Sequence, residues 1–324
     1  DEDIDDERGV IHEEWRSRNN AQMRMLDKIL PEIYPNNRYG TRMPIGVMEV
    51  VDFFPYKALR DYYHKWYRPD QQGIVVVGDI DVDQVENKIR EIFGTIAKPE
   101  NPAERYYIQV EDNKEPIVSI AKDKEQPYAL TYIFCKHDAY PDNEKGDLTY
   151  YIYQYAANVM QIMLSQRLEE LAQSATPPFI QASIYDGDFF LSKTKKALCG
   201  IAVTNENDLT KGISTVYREM LRAVRNGFTE SEYERARAEI LTHIESAYNE
   251  RNKVKSANYC KEYVRHFIDN EPIPGIENEF ALSQQLIPNI PLQVINQYIS
   301  TLISDSNLVV ACMLPEKEGV TYPT

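Results

Sequence analysis

One unit occurs twice in this chain, and its repetition limits the architectures open to it. Pro55, Leu59 and Tyr63 lead into the apolar run Ile74-Val75-Val76-Val77, and Pro291, Ile295 and Ile299 lead into Leu308-Val309-Val310-Ala311. Each copy reads as a helix opened by proline, a short loop and a buried strand rich in β-branched residues. The copies lie about 235 positions apart, the spacing of two related domains rather than of a short-repeat solenoid. Around the second copy the pattern is complete. Strands are expected near 116–122, 128–136, 179–186, 197–204 and 307–314, with helices over 144–172, from 208 to 226, from 230 to about 269 with a break, and over 275–287 and 291–303. Thr229 with Glu232 forms a capping box at the head of one of these.

Around the first copy the pattern is partial. Residues 6–30 read as one helix ended by Pro31 and Pro35, followed by short helices near 46–52 and 55–67, a strand at 73–79 and a helix at 82–94. Residues 98–115, which include Pro99 and Pro102, read as a linker, strand-like at Tyr106–Val110. The expected division is therefore 1–97, 98–115 and 116–324. The stretch 1–97 reads as the back half of a domain whose full version is the second region. The chain begins Asp1-Glu2-Asp3 with no Met and no signal peptide, so the natural N-terminus, and the front half of the first domain, are expected upstream.

Charge and composition remove several classes of function. Lys plus Arg is 36 against 51 Asp plus Glu, a net charge of −15, which excludes a phosphate-tracking nucleic-acid surface. No run approaches the ~18 apolar residues of a membrane span. With 13 Gly there is neither a G-x-x-x-x-G-K-[ST] loop nor a G-x-G-x-x-G turn. Cys135, Cys199 and Cys312 sit in apolar strand-like runs, where a buried free thiol is the ordinary state, and no C-x-x-C pair exists. The compartment stays open, the periplasm or another extracytoplasmic space included.

Glu7 and Glu14 are the sharpest chemical feature. Seven residues make two helical turns, so both carboxylates project from one face. They stand among Asp1, Glu2, Asp3, Asp5, Asp6 and Glu13, with Arg8 the single Lys or Arg in the first fourteen residues. Such a run at a helix start also complements the helix dipole, which needs no function. The alternative is that one of these acids ligates a metal whose other ligands come from elsewhere.

The stretch Glu7-Arg8-Gly9-Val10-Ile11-His12-Glu13-Glu14 resembles the E-R-x-V-x-x-E-E stretch of the inverzincin zinc peptidases, the pitrilysin/insulinase family. Further matches stay in register: Tyr39-Gly40 with Pro44-Ile45-Gly46, Trp66-Tyr67-Arg68-Pro69-Asp70, and Val75-Val76-Val77-Gly78-Asp79. In the second region, Leu164-Ser165-Gln166-Arg167-Leu168 and Gly227-Phe228-Thr229-Glu230-Ser231-Glu232 match in turn. The resemblance implies an α+β fold of two related domains, each a mostly antiparallel sheet with helices packed on one face, the first incomplete here.

It also implies a zinc endopeptidase that cleaves peptides or unfolded chains between two halves, supplied by one polypeptide or by a partner subunit. In that family two His from H-x-x-E-H and a later Glu hold Zn²⁺, whose bound water has a pKa near ~7, and the motif's Glu is the general base. The match puts the third zinc ligand at Glu14 and a supporting acid at Glu7. None of His12, His64, His137, His243 and His266 stands in H-x-x-E-H. His64, among Tyr and Trp, is expected to be a hydrogen-bonded structural residue. The general base and both imidazoles are thus expected upstream, and the chain alone is expected to be inactive and to hold no zinc. The rival reading is a non-catalytic family member serving as a structural or substrate-holding partner.

Overall fold

The structure, a computed structural model, describes residues 1–322. Five helices come first: α1 (Glu2–Arg18), α2 (Ala21–Ile33), α3 (Met48–Phe53), α4 (Tyr56–Trp66) and α5 (Val82–Phe93). Then follow β1 (Ile117–Asp123), β2 (Ala129–Asp138), α6 (Leu148–Ala172), β3 (Gln181–Asp188) and β4 (Lys195–Thr204). The chain continues through α7 (Leu209–Asn226), α8 (Glu230–Asn249), α9 (Ser256–Asp269), α10 (Ile276–Leu286), α11 (Leu292–Ser300) and β5 (Leu308–Pro315). The α+β class holds, and the five strands of the second region fall within about two residues of their expected places.

These strands form one sheet in the order β1-β5-β2-β4-β3, antiparallel except for the β1–β5 pair. Side chains alternate across a strand, so the sheet has two faces to cover. Ile133, Cys135, Ile184 and Leu198 face a helical layer made by Val159, Met160 and Met163 of α6, Val216 and Met220 of α7, and Ile295 and Ile299 of α11. The approach is close at Gly200. A Cβ there would lie 2.7 Å from the Met220 sulfur and 2.8 Å from Val216 Cγ1, so a side chain there would force the α7 layer to shift.

The opposite face carries Phe134, Ala197, Cys199, Val309, Ala311 and Met313, and α2 covers it with Met25, Ile29, Leu30 and Ile33. Arg24 fastens this helix to β1 through two 2.8 Å bonds to the Asp123 carboxylate. A helix from the first fifty residues thus shares a core with the sheet of the second region. Cys135, Cys199 and Cys312 are buried and free, and burial pushes the first two thiols up to about 12.

The segment after α2 is built differently. Between positions 41 and 115, Arg68 is the single buried residue, bonded to the Ala103 carbonyl at 2.9 Å and to Asp70 at 3.2 Å. α4 and α5 bury no side chain at all, and Leu59, Tyr62, Tyr67, Ile92 and Phe93 lie exposed on or beside them.

Four expectations change here. The run at 73–79 is irregular and not a strand, because no neighbouring strand among the described residues supplies its hydrogen bonds. Tyr106–Val110 is likewise irregular. The 6–30 helix is two helices. The Asn20 side chain accepts from the Met23 amide at 3.0 Å and so starts α2 afresh. Pro31 does not end α2, which runs on to Ile33. A proline in a last turn removes one bond, and the burial of Ile29, Leu30 and Ile33 outweighs that loss. The expected break after α8 is present, as a short 3₁₀ turn at Arg251–Lys253.

Candidate functional site

Glu7 and Glu14 both lie on α1, about 20° apart around the helix axis at 100° per residue. A different face of α1 holds it to the chain. Arg8 donates to the Phe54 carbonyl at 3.0 Å and to the Val51 carbonyl, with its guanidinium over the Phe54 ring. His12 Nε2 lies 2.7 Å from Asp52, and the Tyr56 hydroxyl donates to Asp5 at 2.6 Å. These polar contacts set the rotation of α1, which buries no side chain.

Both candidate carboxylates are therefore turned away from α3 and α4. Glu7 is exposed and has no ion pair among the described residues. Glu14 is half-buried and pairs with Arg18 at 2.8 Å, one turn on. Glu13, a further 100° round, pairs with Arg16 instead. Among the described residues no three His, Cys, Asp or Glu side chains come together in a way that could hold a metal ion. The donor set here is thus one acid face: it fits a single coordinating position and not a whole zinc site.

The histidines are dispersed. His12 is engaged by Asp52. His64 is exposed with its ring edge against Tyr63, and no hydrogen bond to it occurs among the described residues, so the expected hydrogen-bonded role is corrected. His266 Nδ1 meets the Glu271 carbonyl at 2.6 Å.

His137 has partners that sequence spacing did not suggest. Its Nε2 is 2.7 Å from Asp186 and its Nδ1 is 3.0 Å from the Asp138 carbonyl, so both nitrogens face acceptors. Tyr298 and Tyr153 donate to the other Asp186 oxygen at 2.5 and 3.2 Å. Burial opposes the charge on Asp186, but His137 and Tyr298 outweigh it and hold the carboxyl below the usual range. The network joins β2, β3, α6 and α11, and its members are far apart in the chain, with no short motif to reveal them. Its bonds are already used among its own members, which makes it a fastening of helices to strand ends. Lys136 is similar: burial pushes its ammonium down to about 8, and it donates to the Glu111 carbonyl at 2.5 Å, holding the linker on the sheet.

The sequence family described as the Peptidase M16 inactive domain matches residues 54–240. The chain belongs to the peptidase M16 family. The pitrilysin/insulinase resemblance of the Glu7–Glu14 stretch and its neighbours points the same way. A zinc protease PQQL-like protein of Arabidopsis thaliana is 27% identical over 316 residues, which is 97% of this chain and 30% of that protein. The probable zinc protease PqqL of Escherichia coli K12 is 23% identical, over 90% of this chain and 31% of its own length. The M16 chain thus spans about a third of the length of these relatives.

Among solved structures, the periplasmic protease PqqL of Escherichia coli superposes with a TM-score of 0.84 at 21% identity, over 97% of this chain and 34% of that one. A mutant of the ferredoxin protease FusC, in complex with Arabidopsis ferredoxin, gives 0.77 at 20% identity over 100% and 35%. The M16 half fold is therefore shared, sheet and helical layer together. Zinc proteases recur among the named relatives.

Proposed function

We propose that this chain is the part of a zinc-dependent M16 endopeptidase that joins the second, non-catalytic domain to the back of the catalytic one. In this reading 1–97 belongs to the catalytic domain, 98–115 is the linker and 116–324 is the second domain. Glu14 is the third zinc ligand and Glu7 supports it by charge. The two imidazoles and the general base come from H-x-x-E-H in the remainder of the intact protein, and the substrate is a peptide or unfolded chain held between two halves.

The observation that carries the reading is the face of α1. Its opposite side is fastened by Arg8 and His12, while Glu7 and Glu14 are turned outward together, and the Glu14 carboxylate has Arg18, one turn away, as its one ion-pair partner among the described residues. The uncovered apolar sides of α4 and α5 support it too, since they need a covering layer that residues 1–322 do not supply.

The test is metal content and turnover in the intact protein for three variants side by side. Glu14→Gln should empty the site and abolish turnover. Glu7→Gln should cost on the order of 10–100-fold, as changes around a metal site do. Glu13→Gln, on another face, should be silent. Zinc lost in Glu13→Gln and kept in Glu14→Gln would put the ligand one residue away and defeat the assignment. The chain by itself, after dialysis, should hold no stoichiometric zinc. Peptidase activity with bound zinc in this chain alone would defeat the division of the site.

A further inference from the structure

The end of α1 that carries Glu14 has fewer fastenings than its front. The front is held by Arg60 on Asp1, by Tyr56 on Asp5, by Arg8 on the Val51 and Phe54 carbonyls, and by the contact of His12 with Asp52. Beyond His12 the charged side chains of α1 pair within the helix among the described residues, Glu13 with Arg16 and Glu14 with Arg18. α1 buries no side chain, so polar contacts weigh heavily in deciding where this end lies.

One side chain ties that end to the second region. Asn19 and Asn20 alone join α1 to α2, and Arg24 Nη1 donates to the Asn19 carbonyl at 3.2 Å. The rest of the guanidinium is anchored at the turn after β1: Nε and Nη2 each meet the Asp123 carboxylate at 2.8 Å, and Nη2 meets Glu125 at 2.5 Å. The Asp123 carboxylate is oriented in turn by the Glu125 amide at 3.0 Å, and the Asp123 carbonyl accepts from the Glu316 amide at 2.9 Å. Arg24 holds the Asp123 carboxyl down to about 2, so the pair stays charged at neutral pH. A planar fork with fixed donor directions serves these three residues at once, which an ammonium on a flexible stem does not.

We propose that Arg24 is a positioning residue for the Glu14 helix, through which the second domain fixes the end of α1 and so the place of the proposed zinc ligand. Glu14 stands about one and a half turns before Asn19, close enough for a shift of the joint to move its carboxylate. The connection is a contiguous series of bonded groups, from Asp123 and Glu125 through Arg24 to the Asn19 carbonyl and the last turns of α1. Its purpose rests on the endopeptidase reading, whereas the fastening of α1 needs neither zinc nor turnover.

The test is Arg24→Lys in the intact protein. The ammonium can keep the ion pair with Asp123, and so the seat of α2 on the sheet, while giving up the bond to Asn19. Hydrogen exchange should quicken roughly tenfold over 13–18, the value of one charge-assisted contact, with α2 and β1 unchanged. Zinc affinity, read by competition with a chelator, should fall roughly tenfold, and kcat should fall with KM unchanged. Exchange over 13–18 that stays as in the parent, or zinc affinity that does, would overturn the proposal. So would exchange that rises equally in α1, α2 and β1, since Arg24 would then serve the fold as a whole. Zinc retained in Glu14→Gln, with α1 still loosened by Arg24→Lys, would defeat the zinc reading and leave the fastening in place. Zinc lost in Glu14→Gln, with Arg24→Lys without effect, would defeat the fastening and leave the zinc reading in place.

Discussion

Residues 117–315 and residues 41–115 contain similar apolar side chains but use them differently. In the first, strands alternate side chains between two covered faces, and Ile133, Met160, Leu198 and Val216 are each 2% exposed or less. In the second, α4 and α5 have clear apolar sides, yet Leu59 is 44% exposed and Ile92 55%. Amphipathic patterning specifies that a helix has a face to bury, and leaves open what buries it. The boundary between the two regimes falls after Gly40 rather than in the linker, because α2 packs on the sheet. Gly40 itself shows how tightly that part is closed: a Cβ there would meet the Leu30 and Tyr34 carbonyls at 3.0 Å.

The contrast is most exposed to hydrogen exchange. Amides of α6, whose Val159, Met160 and Met163 are fully buried, should open only with the whole fold, whereas those of α4 and α5 should exchange several orders of magnitude faster. α2 should behave like α6 and not like its sequence neighbours. Equal protection throughout would break the contrast, and would mean that α4 and α5 are covered in solution, for example by a second copy of the chain.

Core truncation sharpens it next. Ile29→Ala on α2 removes a side chain that is 1% exposed and should cost about 3–4 kcal/mol in urea unfolding, through lost transfer energy and the cavity left behind. Leu59→Ala on α4 should change stability by less than ~0.5 kcal/mol. If the two costs were alike, the covering of α2 by the sheet would not be what separates them.

The same comparison applies to ion pairs. Arg167 meets Glu232 at 2.6 and 3.1 Å with its guanidinium over Phe228, and both partners are largely buried. Burial opposes the charge on Glu232, but Arg167 and Thr229 outweigh it and hold the carboxyl down to about 2. Arg167→Met leaves that carboxylate uncompensated and should cost about 3 kcal/mol. Since the folded pKa is depressed, the stabilisation is fully present above the ordinary value near 4.5 and is lost as pH falls toward about 2. Glu232→Gln should therefore flatten the acid limb of the stability curve in that window. The exposed Glu86–Arg90 pair on α5 is the counterpart, and Arg90→Met should be within ~0.5 kcal/mol of neutral.

Much of this architecture is legible without coordinates. The five strands of the second region can be read because their apolar alternation is backed by partners within the same stretch. Glu7 and Glu14 can be placed on one face from spacing alone, and the structure puts them on one α1 face. What spacing cannot show is which side of α1 is fastened, since that depends on Arg8 reaching the Val51 and Phe54 carbonyls far along the chain. The Ile74–Val77 run departs from its expected strand for a related reason: a strand is a property of a pair, and its sequence describes one member. Asn20, by contrast, is a cap signal present in the sequence, and the apolar spacing across it conceals the break.

Helix caps give the finest version of the comparison, because the chemistry is the same on both sides. Thr229 caps α8 by accepting from the Glu232 amide, and the Glu232 carboxylate in turn accepts a 2.8 Å bond from the Thr229 amide. Asp81 caps α5 by accepting from the Gln84 amide at 3.0 Å. Either substitution by alanine removes about 1 kcal/mol of local helix stability. α8 carries Tyr233 and Ala236 into the core, so its loss is felt by the whole cooperative unit. Thr229→Ala should lower the global unfolding free energy by about 1 kcal/mol. α5 buries nothing, so Asp81→Ala should leave the global transition in place and appear only as faster amide exchange over 82–93. A global shift of equal size from both caps would show that α5 unfolds with the core, and that the region it belongs to is held by more than the contacts along its own length.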